Sequence, residues 1–590
     1  MFGCRCFHWR RLPDFSWPEP ESFSLPAPIP QWPQAIRKYF EWFKVQDLDT
    51  QLGLCLKNTL PPTGVLFAAA SCRQAFANVI CGAMKLVKDR KKGVSFYKPV
   101  GVPDGCFSFG NCCQANEKPL RGYVLVARQV ATPGSENSYK SNPNCSPALL
   151  MPLDYTLVWS TDDGSEANLD GCGYFWLPRP PEGYKALGFV VTSKPGKPDL
   201  EEVRCVRADL TDQCVAYRLT LSTSSTYSEL PFGVWKTRPH HRGMDGKGVS
   251  VGTFFCSSYW SYGEELNIAC LKNLNPKLNA MPNLEQIHAL IRHYGPTVFF
   301  HPDEVYLPSS VDWFFKNGAL VYKGDDSVGE SIDAGGSNLP GGGTNDGEYW
   351  IDLPRDNRKE RVIRGNLESA KLYIHVKPAL GGTFTDIVMW VFCPFNGPVT
   401  LKVGVMNIAL SKIGQHVGDW EHFTLRVSNF TGELLSVYFS QHSGGEWVDT
   451  TDLEFIEGNR PIVYSSKSGH ASFAHPGNYI QGSSKLGIGV RNDAVRSEYY
   501  VDSSNQYEIV AAEYLGDEVS EPCWLQYMRE WGPTIVYDSR IELDKVISYL
   551  PLTLRYSVES VFNKFPLELY GEEGPTGPKE KNNWVGDERC

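Results

Sequence analysis

No pair of cysteines in the sequence is spaced Cys-x-x-Cys, although the chain holds 17 cysteines in 590 residues. Cys4-Arg-Cys6 and Cys112-Cys113 lie too close together for a standard zinc knuckle. The start, MFGCRCFHWRRLPDFSWPEPE, lacks an apolar core, so no signal peptide is expected. Reduced thiols in an intracellular protein, cytoplasmic or peripheral to membranes, are the corresponding expectation. Charge is also scarce: 21% of residues are charged, with a formal net charge of −10 and no long block of one sign. That removes the basic footprint a nucleic-acid partner needs and argues against global disorder. Val65–Val87 has the length of a membrane span, but Arg73, Gln74 and Asn78 sit near its middle. A central Arg costs about 2.5–3.5 kcal/mol in a bilayer, so a soluble helix is expected there and no transmembrane span. No nucleophile elbow, zincin motif or kinase signature is present. The Gly-rich stretch DAGGSNLPGGGTNDGEYW fits neither a P-loop nor a dinucleotide fingerprint and reads as a surface loop.

Apolar residues make up 42% of the chain and aromatics 13%, ample for large cores. Residues 1–35 form a Pro-rich arm. Residues 36–92 have helical character and are atypical of the rest. From 93 to 275, short runs such as GYVLVARQV, YTLVWSTDDG and GYKALGFVVTS alternate with turn residues, predicting a prism- or sandwich-like β module. Residues 276–590 predict a β-sandwich domain with few helices. Its first element is a helix in which Leu284, Ile287, Leu290 and Ile291 share one face, stopped by Gly295-Pro296. The fold class is therefore mainly β. YGPTVFFHPDE and WGPTIVYDSRIE repeat one phrase and are expected to lie side by side. The tail GEEGPTGPKEKNNWVGDERC is polar and is expected to wrap the surface.

The stretch GQHVGDWEHFTLRV, 414–427, carries the chemistry. With period-two alternation, Asp419, Glu421, Phe423, Leu425 and Val427 share one strand face, and Trp420, His422, Thr424 and Arg426 the other. Two carboxylates at the edge of an apolar face cost several kcal/mol unless paired or metal-bound. Gly418 lets the backbone bend, so His416 can return toward them. One nitrogen and two oxygens suit Mn, Zn, or Mg and Ca with waters better than a thiolate site. Pairing with Arg or Lys is the competing reading. A hairpin matching Leu425 with Leu435 and Phe423 with Val437 keeps the apolar faces aligned. It places Gln441 opposite Asp419 and sends His442 to the far face. His470 and His475, in IVYSSKSGHASFAHPG, offer a further loop ligand. His301, Asp303 and Glu304 in FFHPDE read as an exposed strand end.

YGPTVFFHPDEVYLPSSVDWFF, CPFNGP, GDWEHFTLRV, SGHASFAHPG and GEEGPTGPKEKNNW together resemble the plant vacuolar protein sorting-associated protein 62-like family, long described as a domain of unknown function. More distantly, His416-Val-Gly-Asp419-Trp420-Glu421 resembles the G-H-R-H-D-W-E heptapeptide of necrosis- and ethylene-inducing-like proteins. That family's actinoporin-like β-sandwich holds Ca²⁺ or Mg²⁺ for attack on plant sphingolipid membranes. The resemblance implies His416, Asp419, Glu421 and His470 as ligands of a divalent cation. Ca or Mg is favoured, with Mn or Zn admitted. Asn396 stands near the place of that family's earlier Asp, and His475 is a further donor to consider.

Three functions are consistent with these residues. The first is a non-enzymatic membrane-trafficking protein that binds a membrane lipid or a trafficking partner through a metal-stabilised sandwich. The second is a metal-dependent hydrolase using His416, Asp419 and Glu421 to activate water. The third is a structural polar corner without metal.

Overall fold

The structure is a computed structural model. It describes residues 63–71, 76–78, 84–85 and 93–99, and then most of 102–589 apart from breaks that include 116–122, 132–146, 161–172, 223–231, 259–264, 274–280, 535–538 and 564–573. The Pro-rich arm, 1–35, lies outside the described residues. The helix expected within 36–92 is corrected where the backbone is described: Thr63–Ser71, Phe76–Asn78 and Met84–Lys85 are strands. Thr63–Ser71 pairs antiparallel with Tyr123–Ala131 along its whole length. A ladder partner distant in sequence overrides local helix propensity here. No helix among the described residues is long and apolar enough to cross a membrane.

The chain is mainly β. Between residues 93 and 275 it forms small sheets around Phe96, Phe175, Phe189, Phe232 and Phe254. Gly173-Tyr174 and Gly183-Tyr184 each open a strand there, Tyr174–Arg179 and Tyr184–Lys185.

The second half is built on a six-stranded sheet. Its order is Gly444–Asp449, Leu434–Gln441, His416–Ser428, Phe384–Asn396, Leu372–Ala379 and Tyr507–Ala511. One face carries Ile387, Met389, Val391, Phe423, Leu425 and Phe439 against the helix Leu284–Tyr294 and against Val298, Val463 and Val501. That helix begins and ends where the sequence predicts. Asn283 and Gln286 form a reciprocal capping box, and Ile287, Leu290 and Ile291 are buried. The other face carries Val388, Trp390, Phe392, Val417 and Trp420 against Phe314, Trp524, Trp531 and Trp584. Both faces are covered, so Phe384–Asn396 is buried at nearly every position.

Three further expectations are corrected. The hairpin register is shifted by two: Phe423 faces Phe439 and Leu425 faces Val437, with an irregularity between Arg426 and Val427. A shift of two keeps every side chain on its face, so alternation alone cannot detect it. The first Gly-Pro-Thr strand, Thr297–Phe299, pairs with Arg460–Ser465 and Tyr500–Asp502 rather than with its repeat. The tail does not merely coat the surface. Trp584 stacks on His375 at 3.8 Å between ring centroids, and Glu588 is buried against His422 and Thr424.

Candidate metal centre

The corner is built where one sheet face turns from apolar to acidic. Beyond Phe423 the strand presents Glu421 and Asp419, 9% and 7% exposed. Gly418 then adopts φ +68°. An added Cβ at Gly418 would lie 2.2 Å from the Trp531 carbonyl oxygen. This left-handed step returns the His416 ring toward the acids, as the sequence predicts, with Nε2 at 4.0 Å from Asp419 Oδ1. His416 Nδ1 is buried and has no hydrogen-bond partner.

The other oxygen of Asp419, Oδ2, is 2.7 Å from His470 Nδ1. His470 stands in the 466–471 turn at φ +50°. Its Nε2 lies 2.8 Å from the Tyr306 carbonyl. Glu304 fixes this turn by accepting from Ser468 N at 2.6 Å, and from Val305 and Tyr306 N with its other oxygen. The reading of Glu304 as part of an exposed strand end is thus corrected, because it is a buried staple. Glu421 accepts from Ser440 Oγ at 2.8 Å. Among the described residues, neither acid has a Lys or Arg within ion-pair distance.

These surroundings set the charges. Burial, then the nearby Asp419 charge, pushes the Glu421 carboxyl up to about 8. Burial also works against the Asp419 charge, but the hydrogen bond and charge of His470, with His416 and Lys581, hold it below the usual range. Burial opposes a charge on His470, yet Cys393, Asp419 and Glu304 raise it. Burial lowers His416. The two acids are thus pushed in opposite directions, Asp419 down and Glu421 up.

The corner opens on a cavity of about 460 Å³, lined by His416, Asp419, Glu421, Asn396, Ser440, His442 and the C-terminal segment around Lys581. Asn396 faces His416 across the ladder, and its Nδ2 donates to Gly414 O at 2.5 Å. Its amide nitrogen is therefore occupied by the backbone. His475 is not brought to the corner: it pairs with Glu454 at 3.0 Å. His442 was expected on the far face, but φ +58° turns it into the cavity, where Nε2 meets Asn492 Oδ1 at 3.1 Å. His422 points away as predicted, to Glu588.

Cys393 was not visible as a site residue in sequence. It is the ladder partner of Asp419, and its sulfur clusters with donor atoms of Asp419 and His470, all within 4.8 Å of one another. Among the described residues, the donor atoms that lie mutually within 4.8 Å are those of Cys393, Asp419 and His470. His416 and Glu421 flank them, and a cation bound here would be held by that cluster with those two residues beside it.

Fold and corner together define a β-rich protein whose sandwich half carries a buried His/Asp/Glu centre. The chain belongs to the family described as vacuolar protein sorting-associated protein 62, whose model matches residues 19–588. The vacuolar protein sorting-associated protein 62 of Saccharomyces cerevisiae is 23% identical over 248 residues, 35% of this chain and 50% of that protein. The chain thus spans about half the length of that curated relative. Among solved structures, it is similar to GNIP1Aa from Chromobacterium piscinae, at 16% identity over 37% of this chain and 39% of that one, TM-score 0.25. It is also similar to necrosis and ethylene inducing protein 2 from the causal agent of cocoa's witches' broom disease. That match has 14% identity over 44% of this chain and 99% of that one, with a TM-score of 0.19.

Proposed function

We propose that this protein is a non-enzymatic membrane-trafficking factor. A divalent cation held by His416, Asp419, Glu421 and His470 stabilises the sandwich corner and presents a lipid headgroup site in the adjoining cavity. The observation that carries this reading is the pair of buried acids, with no Lys or Arg within ion-pair distance among the described residues, beside the buried His416 ring and open to the adjoining cavity. A cation would neutralise both acids at once and leave coordination positions for anionic oxygens of a headgroup. The name of the yeast relative supports a role in vacuolar sorting. His422 is engaged by Glu588 of the tail.

The test is flotation of the full chain with vesicles of plant-type anionic and sphingolipid composition, with and without chelator. Binding is expected to require a divalent cation and to fall at least about tenfold in Asp419→Ala. Flotation that ignores both chelator and the substitution would exclude the headgroup site.

A further inference from the structure

The ladder places Cys393 directly opposite Asp419, on the face that also carries Val391 and Met389. Cys393 is 1% exposed and is not among the residues that line the cavity, whereas Asp419 is. Three donor atoms of different chemistry therefore meet inside the sheet: the Cys393 sulfur, the His470 imidazole and the Asp419 carboxylate, mutually within 4.8 Å.

The hydrogen bonds of His470 decide what this cluster can take. Its Nε2 faces the Tyr306 carbonyl, which only accepts, so Nε2 carries a proton. Its Nδ1 meets the Asp419 carboxylate at 2.7 Å, and the Cys393 sulfur lies within the same cluster. A metal ion that displaces the proton shared at Nδ1 would be met by all three donors at once. The Nε2–H bond to a backbone carbonyl is also the arrangement that orients a metal-bound imidazole. Glu304 holds the turn that supplies His470 in place.

We propose that Cys393, with His470 Nδ1 and Asp419, forms a thiolate-containing site that takes zinc(II) in preference to calcium or magnesium. This rests on the reading that the corner binds a cation, and it names the ion. Calcium requires six to eight oxygen donors and magnesium an octahedron of oxygens. Sulfur, nitrogen and one carboxylate form a tetrahedral zinc donor set with one position left open. One thiolate and one carboxylate neutralise the ion in this buried place, and the thiol proton leaves to solvent. The preference for calcium or magnesium came from the family resemblance, while the strand residues alone admitted zinc.

The experiment uses the full chain, stripped with chelator and titrated with cobalt(II), then with zinc(II), in excess calcium and magnesium. Cobalt is expected to produce a thiolate charge-transfer band in the near ultraviolet, bleached by zinc and unmoved by calcium or magnesium. Cys393→Ser is expected to lose the band and to bind zinc at least about 100-fold more weakly. Circular dichroism shows whether that variant folds, and Cys393→Ala substitutes for it if it does not. Cobalt binding without the band, a band that persists in the folded variant, or displacement of zinc by calcium would overturn the zinc assignment while the cation reading stands. If the wild-type chain binds none of the four ions, both readings fail.

Discussion

At the scale of the residue, the corner depends on one backbone angle. Gly418 stands at φ +68°, with the Trp531 carbonyl where a Cβ would be. Without that step His416 would follow strand alternation onto the face of Trp420, away from the acids. Gly418→Ala is expected to destabilise the protein by at least about 2 kcal/mol and to weaken cation binding, measured by urea unfolding and metal titration. Gly444 offers the contrast: nothing lies within 4 Å of its added Cβ. Gly444→Ala should change stability by less than about 1 kcal/mol. Equal losses in the two variants would mean that the turn at Gly418 does not shape the site. The acids themselves were legible in sequence, because Asp419 and Glu421 interrupt an apolar face. Cys393 was not, since a lone cysteine in an apolar strand looks like any small core residue until the ladder register sets it against Asp419.

At the scale of the element, local signals were read correctly where they are complete within the element. The helix Leu284–Tyr294 combines an apolar stripe with a capping box: Gln286 N donates to Asn283 Oδ1 at 2.9 Å, and Asn283 N to Gln286 Oε1 at 2.8 Å. Asn283→Ala removes the first bond and should lower stability by about 1 kcal/mol, read from the midpoint of thermal unfolding. No change in midpoint would indicate that burial of Ile287, Leu290 and Ile291 alone fixes the helix start. Features that depend on a partner elsewhere in the chain were less legible. The hairpin register slips by two without moving a side chain off its face. The two Gly-Pro-Thr phrases look alike, but Thr297–Phe299 finds better partners in Arg460–Ser465 and Tyr500–Asp502. His475 resembles a loop ligand in sequence and is taken instead by Glu454.

At the scale of the whole molecule, the polar C-terminal tail is the tie that sequence composition concealed. Its Trp584 enters the second core, while Lys377 Nζ donates to the carbonyls of Asn583 and Gly586. Asp587 joins the two halves of the chain: Arg242 of the first module donates to it at 2.6 Å, and Arg426 of the sandwich at 3.1 Å. Burial opposes the Asp587 charge, but Arg426, Arg242 and Arg238 outweigh it and bring the carboxyl down to about 2. The sign follows from a folded value below the unfolded 3.8: the contribution is fully present above about pH 4 and is lost as pH falls through about 2. Asp587→Asn keeps the shape but leaves both guanidinium groups without this counter-charge, and is expected to cost about 2–3 kcal/mol at neutral pH. Its loss relative to wild type should shrink toward zero as acid protonates the wild-type carboxylate. Urea unfolding at pH 7 and at pH 3 measures both, and with a folded value of about 2 roughly half of the gap should remain at pH 3. Asp587 contributes to the tie between the halves as an ion pair only if the gap narrows on acidification. A gap unchanged between the two pH values would place the effect in packing of the tail instead.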